Sequence, residues 1–200
     1  MSLSNGRSYL AIPGPPVIPD EVLLAMHRPS PNIYEGELVE MTHSIIPDLK
    51  YVAKTEGHVA IYIANGHGAW EAALTNMVAA GDHVLVAATG RFAHGWAEMA
   101  HSLGVSSEIL EFGNQSPLDA DVIKDAFRKD SNRKIKAVLI THVDTSTSVK
   151  NDVFAVRKAM DAVDHPALLA VDCIASLGCD NFEMDLWGVD VMVAGCQKGL

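Results

Sequence analysis

Short apolar runs alternate along the chain with stretches whose apolar residues recur three and four positions apart. The runs are rich in β-branched residues and have the length of buried strands, which predicts strands at 59–64, 84–88, 105–111, 137–141, 167–171 and 189–193. The intervening spacing gives a helix one apolar face and predicts helices at 69–79, 92–103, 118–128 and 153–163.

This alternation of strands and helices predicts the fold class. Strands that are apolar almost throughout must be covered on both faces, so we expect a three-layer α/β/α fold with a mainly parallel sheet. Ligands of such folds bind at the carboxyl ends of the strands. Residues that follow a predicted strand directly are therefore the first candidates for a site.

The beginning of the chain departs from the pattern. Residues 12–19 include Pro13, Pro15, Pro16 and Pro19 and cannot form a regular helix. We therefore expect an extended N-terminal arm at residues 1–19, followed by one large domain at 20–200. Helices are predicted at 20–27 and 37–55, with Pro47 kinking or splitting the second.

Composition and charge argue against several classes of protein. The 15 Lys and Arg residues and 25 Asp and Glu residues give a net charge of −10, which disfavours binding to nucleic acid or to an anionic membrane. No apolar run reaches the roughly 18 residues of a membrane-spanning helix. The three cysteines and the histidines show no spacing typical of a disulfide framework or a metal site. Without an N-terminal targeting pattern, a cytoplasmic location is expected, and a peroxisomal C-terminal signal on a longer chain is the alternative left open.

A glycine-bearing turn lies between the first predicted strand and the next helix, at Asn65-Gly66-His67-Gly68. Free backbone N–H groups at the start of a helix suit a phosphate, and glycine lets the backbone approach it closely. A tight turn without a ligand is an equally good interpretation of these four residues alone.

An acid and a lysine follow two successive predicted strands. Asp172 directly follows the strand at 167–171, and Lys198 comes just after the strand at 189–193. A lysine amine can form a Schiff base with an aldehyde, and an aspartate can keep a pyridine nitrogen protonated, as pyridoxal phosphate chemistry requires. The residues alone leave other interpretations open: an Asx turn at Asp172, a solvated Lys198, or a non-catalytic nucleotide-binding module with a structural ion pair.

Taken together, these segments resemble class V of the fold-type I pyridoxal-phosphate enzymes, closest to the alanine/serine–glyoxylate aminotransferases. The resemblance rests on five motifs in order: Pro13-Gly14-Pro15, Asn65-Gly66-His67, THVDTST at 141–147, AVDCIASLG at 170–178 and GCQKGL at 195–200. It implies a transaminase that uses pyridoxal 5′-phosphate, moves an amino group from serine or alanine to glyoxylate or another small 2-oxo acid, and forms a homodimer. A class V lyase or cysteine desulfurase is the alternative, although desulfurases usually carry histidine where Gln197 stands.

The resemblance also implies a role for each matching residue. Lys198 would form the Schiff base and then move a proton between the substrate α-carbon and the cofactor, while Asp172 would hold the pyridinium. The other implied contacts are Gly66, His67 and Gln197 to the phosphate, Thr145 to the ring oxygen, Phe92 and Ile174 to the two ring faces, and the Gly14 N–H to the substrate carboxylate.

The sequence departs from the family at two kinds of position. Asp144 and Ser148 stand where the family usually has Glu and Gly, so a differently shaped loop is expected there. The family also continues beyond the lysine with a second domain that carries the arginine for the substrate carboxylate. We therefore expect these 200 residues to belong to a longer polypeptide and to show little turnover alone.

Overall fold

A computed structural model describes residues 17–200 of the chain. The helices of this part are α1 (Asp20–Met26), α2 (Glu37–Ala53), α3 (Gly66–Met77), α4 (Arg91–Ser102), α5 (Ala120–Lys129) and α6 (Val153–Asp161). The strands are β1 (His83–Ala88), β2 (Ser106–Glu111), β3 (Ile135–Thr141), β4 (Leu168–Asp172) and β5 (Val191–Val193).

The chain divides into two units between Asp48 and Leu49. In the described part of the first unit, α1 begins after Pro19, whose carbonyl oxygen accepts hydrogen bonds from the backbone of Val22 and Leu23. The second unit contains the sheet and α3 to α6. The predicted arm at 1–19 lies mostly outside the described residues, so its boundary with the domain at 20–200 stays a prediction.

The five strands form one sheet in the order β2-β1-β3-β4-β5, and every neighbouring pair is parallel. The ladders place Thr141 of β3 beside Asp172 of β4, and Asp172 beside Val193 of β5. The carboxyl ends of these three strands therefore meet at one edge, and the predicted parallel sheet is confirmed.

Apolar side chains cover both faces of the sheet. Alternate residues of β3 point in opposite directions, so Leu139 packs with Trp70 and Trp96 of α3 and α4, whereas Ile140 packs with Phe127 and Met160 of α5 and α6. The result is the predicted three-layer α/β/α arrangement.

The strand predicted at 59–64 is wrong. These residues form no strand, and Ile61, Tyr62 and Ile63 are exposed. A β-branched run becomes a strand only when a neighbour takes its backbone hydrogen bonds, and within residues 17–200 no strand pairs with this segment. The run of β-branched residues shows only that the segment favours an extended backbone. Whether it becomes a strand depends on a hydrogen-bonding partner elsewhere in the chain.

Of the two alternatives predicted for Pro47, a kink or a split of the helix at 37–55, the split is wrong, because α2 runs continuously through Pro47. Proline removes one intrahelical bond, to the carbonyl of His43. Both residues are exposed, so water can bind the freed carbonyl. α2 has 17 residues, and no helix of the described part is long and apolar enough to cross a membrane.

Leu139→Ala is expected to destabilise the domain by about 2–5 kcal/mol, because the fully buried side chain would leave a cavity in the central strand. Urea denaturation followed by tryptophan fluorescence measures the change. Val122→Ala on the exposed side of α5 is the control and should change the free energy of unfolding by less than about 0.5 kcal/mol. Equal effects of the two substitutions would contradict the packing of β3.

Candidate active site at the carboxyl edge of the sheet

Asp172 is the last residue of β4 and is 5% exposed. One carboxylate oxygen accepts the backbone N–H of Ile174 at 2.8 Å, and the other accepts the indole N–H of Trp70 at 3.0 Å. Burial raises the pKa of Asp172 to about 6, and the nearby charge of Asp144 adds to this, while the two hydrogen bonds act in the opposite direction. The protein therefore holds at this edge a carboxylate whose charge it stabilises only in part.

Trp70 is placed by α3 so that its ring joins several aromatic side chains beside Asp172. It stacks on Trp96 with 5.8 Å between ring centroids, and it contacts His67 and Phe92 edge-on at 4.8 and 6.2 Å. His67 and Phe92, two of the predicted cofactor contacts, thus lie around the same indole that donates to Asp172. Whether Phe92 also covers a cofactor ring stays a prediction.

The start of α3 supplies backbone donors near Asp172. The Asn65 side chain accepts the N–H of Gly68 at 3.1 Å, and the first intrahelical bond runs from Ala69 to Asn65. The N–H groups of Gly66 and His67 precede that bond and are directed outward from the helix start. This is the arrangement that the sequence predicts for a phosphate site, formed by a helix of 12 residues.

Ile174 links the aspartate to this helix start. Its side chain lies directly against the Cα of Gly66, so that a Cβ at position 66 would collide with Ile174 Cδ1. Gly66 is buried and Ile174 is half-buried. A side chain at position 66 would therefore force the Ile174 side chain to move away from the start of α3.

Lys198 lies five positions beyond the end of β5, and its side chain is half-buried. The neighbouring backbone is fixed by close contact: a Cβ on Gly178, whose φ is +79°, would lie 2.5 Å from the carbonyl oxygen of Gly199. The preceding Gln197 is exposed, and its side-chain oxygen lies against Gly195. The lysine segment is thus held against the loop that begins at Asp172.

Thr145 is half-buried in the loop after β3, next to a carboxylate whose role the sequence did not reveal. Asp144 is fully buried and accepts the backbone N–H groups of Phe92 and Ser146, each at 2.9 Å, and the Ser146 hydroxyl at 2.6 Å. It also lies directly against the Cα of Gly90. Asp144 therefore caps α4 from a distant loop and fixes the backbone of Phe92.

Sequence reasoning missed Trp70 and Asp144 as site residues. The carboxylate of Asp144 caps a helix 52 residues earlier in the chain, and Trp70 donates to an acid 102 residues later. The available signal was their place in the sequence: Asp144 lies in the motif at 141–147, and Trp70 follows the glycine turn at 65–68 by two residues. Gly14, predicted to meet the substrate carboxylate, lies outside the described residues. Within 17–200 no cluster of His, Cys, Asp or Glu side chains could hold a metal ion.

Several known proteins similar to this chain are named as aminotransferases. Serine–glyoxylate aminotransferase of Methylorubrum extorquens is 42% identical over 98% of this chain and 49% of its own length. L-aspartate–glyoxylate aminotransferase of Paracoccus denitrificans is 40% identical over 98% of this chain and 50% of its own. The chain spans about half the length of these relatives.

Two solved structures of similar fold are also aminotransferases. Aspartate aminotransferase of Thermus thermophilus superposes with a TM-score of 0.83 at 27% identity, over 94% of this chain and 52% of its own. Ureidoglycine–glyoxylate aminotransferase of Bacillus subtilis superposes with a TM-score of 0.82 at 25% identity, over 92% of this chain and 47% of its own.

A family model described as aminotransferase class V matches residues 39–200. That span includes the acid at the end of β4, the lysine after β5 and the glycine turn at the start of α3. The family implies pyridoxal 5′-phosphate as the cofactor. The chain belongs to the class-V aminotransferase family.

Proposed function

We propose that the polypeptide containing this chain is a transaminase that moves an amino group from a small amino acid, serine or alanine, to glyoxylate or another small 2-oxo acid. The observation that carries the proposal is that Asp172 ends β4 and Lys198 follows the adjacent parallel strand β5 by five residues. Relatives named for serine and for aspartate as donors share glyoxylate in their names, which supports glyoxylate as the acceptor.

The described residues fit pyridoxal phosphate. The oxygen of Asp172 that accepts from Trp70 has a second lone pair, so it can also accept from a ring nitrogen. The hydroxyl of Thr141, beside Asp172 in the ladder, is buried without a hydrogen-bond partner in residues 17–200. A partly stabilised carboxylate, an unpaired hydroxyl and the outward N–H groups at the start of α3 together provide the polar contacts that such a cofactor needs.

When bound, pyridoxal phosphate supplies an aldehyde that captures the amino group and a ring that accepts electrons from the α-carbon. The carboxylate of Asp172 would hold the proton on the ring nitrogen, because a cation beside it relieves the cost of its burial. The Nζ of Lys198 would hold the cofactor covalently and then move a proton from the substrate α-carbon. The backbone of Gly66 and His67, helped by Gln197, would bind the phosphate.

The remaining predicted contacts follow from the same arrangement. Thr145 would donate to the ring oxygen, and Asp144 keeps that loop in place. Phe92 and Ile174 would cover the two ring faces, and both exclude water from the developing charge. We extend the proposal to a homodimer, which the sequence resemblance implies, and to the cytoplasmic location expected from the sequence. Light scattering of the full-length polypeptide measures its mass in solution.

The full-length protein should convert L-serine and glyoxylate into glycine, detected by chromatography of the amino acids. Transamination conserves the amino group, so the glycine formed should equal the serine consumed. Release of the serine side chain or of ammonia without glycine would contradict the proposal and indicate the lyase alternative.

Lys198→Ala should abolish the visible absorbance of the covalently held cofactor and lower kcat by about 10²- to 10⁴-fold, because the proton shuttle is lost. Absorbance spectra and steady-state rates measure the two effects. Lys124→Ala, which removes a lysine paired with Asp121 on α5, is the matched control and should behave as wild type. An unchanged spectrum in Lys198→Ala would rule out this lysine.

Asp172→Asn should weaken cofactor binding only where Asp172 is ionised. The pKa of this carboxyl in the free protein is about 6, so the wild type binds a cationic ring progressively better as pH rises through that value. The dissociation constant of Asp172→Asn for the cofactor, divided by that of the wild type, should therefore grow above pH 6 and approach one well below it. Fluorescence titration of both apoproteins with pyridoxal phosphate at several pH values measures the ratio, and a ratio independent of pH would contradict the role of Asp172.

A further inference from the structure

Residues 173–179, here called the bridging segment, connect Asp172 to the lysine. At its start, the Ile174 N–H donates to the Asp172 carboxylate at 2.8 Å. At its end, Gly178 lies against the carbonyl of Gly199, and a Cβ on Gly199 would lie 2.5 Å from the Leu177 carbonyl oxygen. Since backbone meets backbone there, a shift of the bridging segment moves both Asp172 and the segment that carries Lys198.

A buried side-chain hydrogen bond anchors the middle of the bridging segment. Ser176 and Leu177 form a turn by donating their backbone N–H groups to the Cys173 carbonyl at 3.0 and 2.9 Å. The Ser176 hydroxyl lies 2.9 Å from Nδ1 of His142, and both residues are 1% exposed. His142 is the residue directly after β3, so this bond ties the segment to a neighbouring strand end.

Backbone hydrogen bonds and contacts with two aromatic rings hold His142 in place. Its backbone N–H donates to the Asp172 carbonyl and its carbonyl accepts from Asn151, both at 2.8 Å. Its ring packs against both Phe182 and Trp187, with centroids 5.6 and 5.7 Å away, and these two rings also contact each other. The imidazole therefore cannot turn without disrupting an aromatic cluster, and it is a rigid point of attachment.

The surroundings of the imidazole decide which nitrogen carries the proton. Nε2 has no hydrogen-bond partner within residues 17–200, while the Ser176 hydroxyl also reaches the Cys173 carbonyl at 3.5 Å. A proton on Nδ1 lets the histidine donate to the serine, and the serine donate onward, without leaving a buried N–H unpaired. Burial, assisted by the charge of Lys150, lowers the pKa of His142, so the ring is neutral at pH 7.

We propose that His142 is a positioning residue for the cofactor site: through Ser176 it holds the bridging segment, and thereby the spacing between Asp172 and Lys198. This proposal rests on the proposed function. His142 lies on the opposite face of the sheet from the Asp172 side chain, so it acts only through the segment.

Three single variants of the full-length protein separate the hydrogen bond from the packing. His142→Phe keeps an aromatic ring against Phe182 and Trp187 but has no donor. Ser176→Ala removes the acceptor, and His142→Asn keeps an N–H donor near the place of Nδ1. The first two should lower kcat by about 10- to 100-fold, the range expected when catalytic groups are misplaced by about 1 Å. His142→Asn should retain most of the activity although its melting temperature falls furthest, because it leaves a cavity.

Hydrogen exchange of the apoproteins, followed by mass spectrometry, tests the anchor without the cofactor. Amides of the bridging segment should exchange faster in His142→Phe and Ser176→Ala, and at nearly the wild-type rate in His142→Asn. The kcat of the double variant His142→Phe/Ser176→Ala should be no lower than that of Ser176→Ala alone, since both substitutions remove the same hydrogen bond. Wild-type kcat and exchange in His142→Phe, or activity that follows melting temperature across the three variants, would overturn the proposal. A wild-type protein without transaminase activity would instead refute the proposed function.

Discussion

The burial of one carboxylate at the end of β4 is the constraint on which the site depends. Removing an ionised group from water costs several kcal/mol. Two N–H donors, from Ile174 and Trp70, offset only part of that cost, as the raised pKa of Asp172 shows. The fold thus maintains a charge that it does not fully satisfy, and a protonated ring nitrogen is the partner that would complete it.

The surrounding loops lie so close to three glycines of the site that a Cβ on any of these glycines would collide with a loop atom. Ile174 lies on Gly66, and the Asp144 carboxylate lies on Gly90, so the loops after β4 and β3 are fixed against the starts of α3 and α4. Gly178, in the left-handed region, meets Gly199 in the same way. These contacts leave the backbone little freedom, which is what a site needs if its groups are to be in place before the cofactor binds.

The sequence predicts those parts of the protein that depend on local patterns. The buried strands at 84–88 and 137–141 were evident because both faces are covered, and their runs are apolar throughout. The segment at 59–64 carries the same signal and forms no strand, because pairing depends on residues far away in the chain. Asp172 and Lys198 could be singled out because each follows a predicted strand. The surroundings of these two residues could not be predicted, since the Trp70 hydrogen bond and the Asp144 cap join residues 102 and 52 positions apart.

The proposed function requires Asp172 and Lys198 to act on one cofactor ring. A crystal structure of the full-length protein, loaded with pyridoxal phosphate and reduced with borohydride, tests it most directly. The account predicts a covalent bond from Lys198 Nζ to the cofactor and a hydrogen bond of about 2.7–3.0 Å between the ring nitrogen and the Asp172 carboxylate. A cofactor bound to another lysine, or a ring nitrogen that does not contact Asp172, would contradict it.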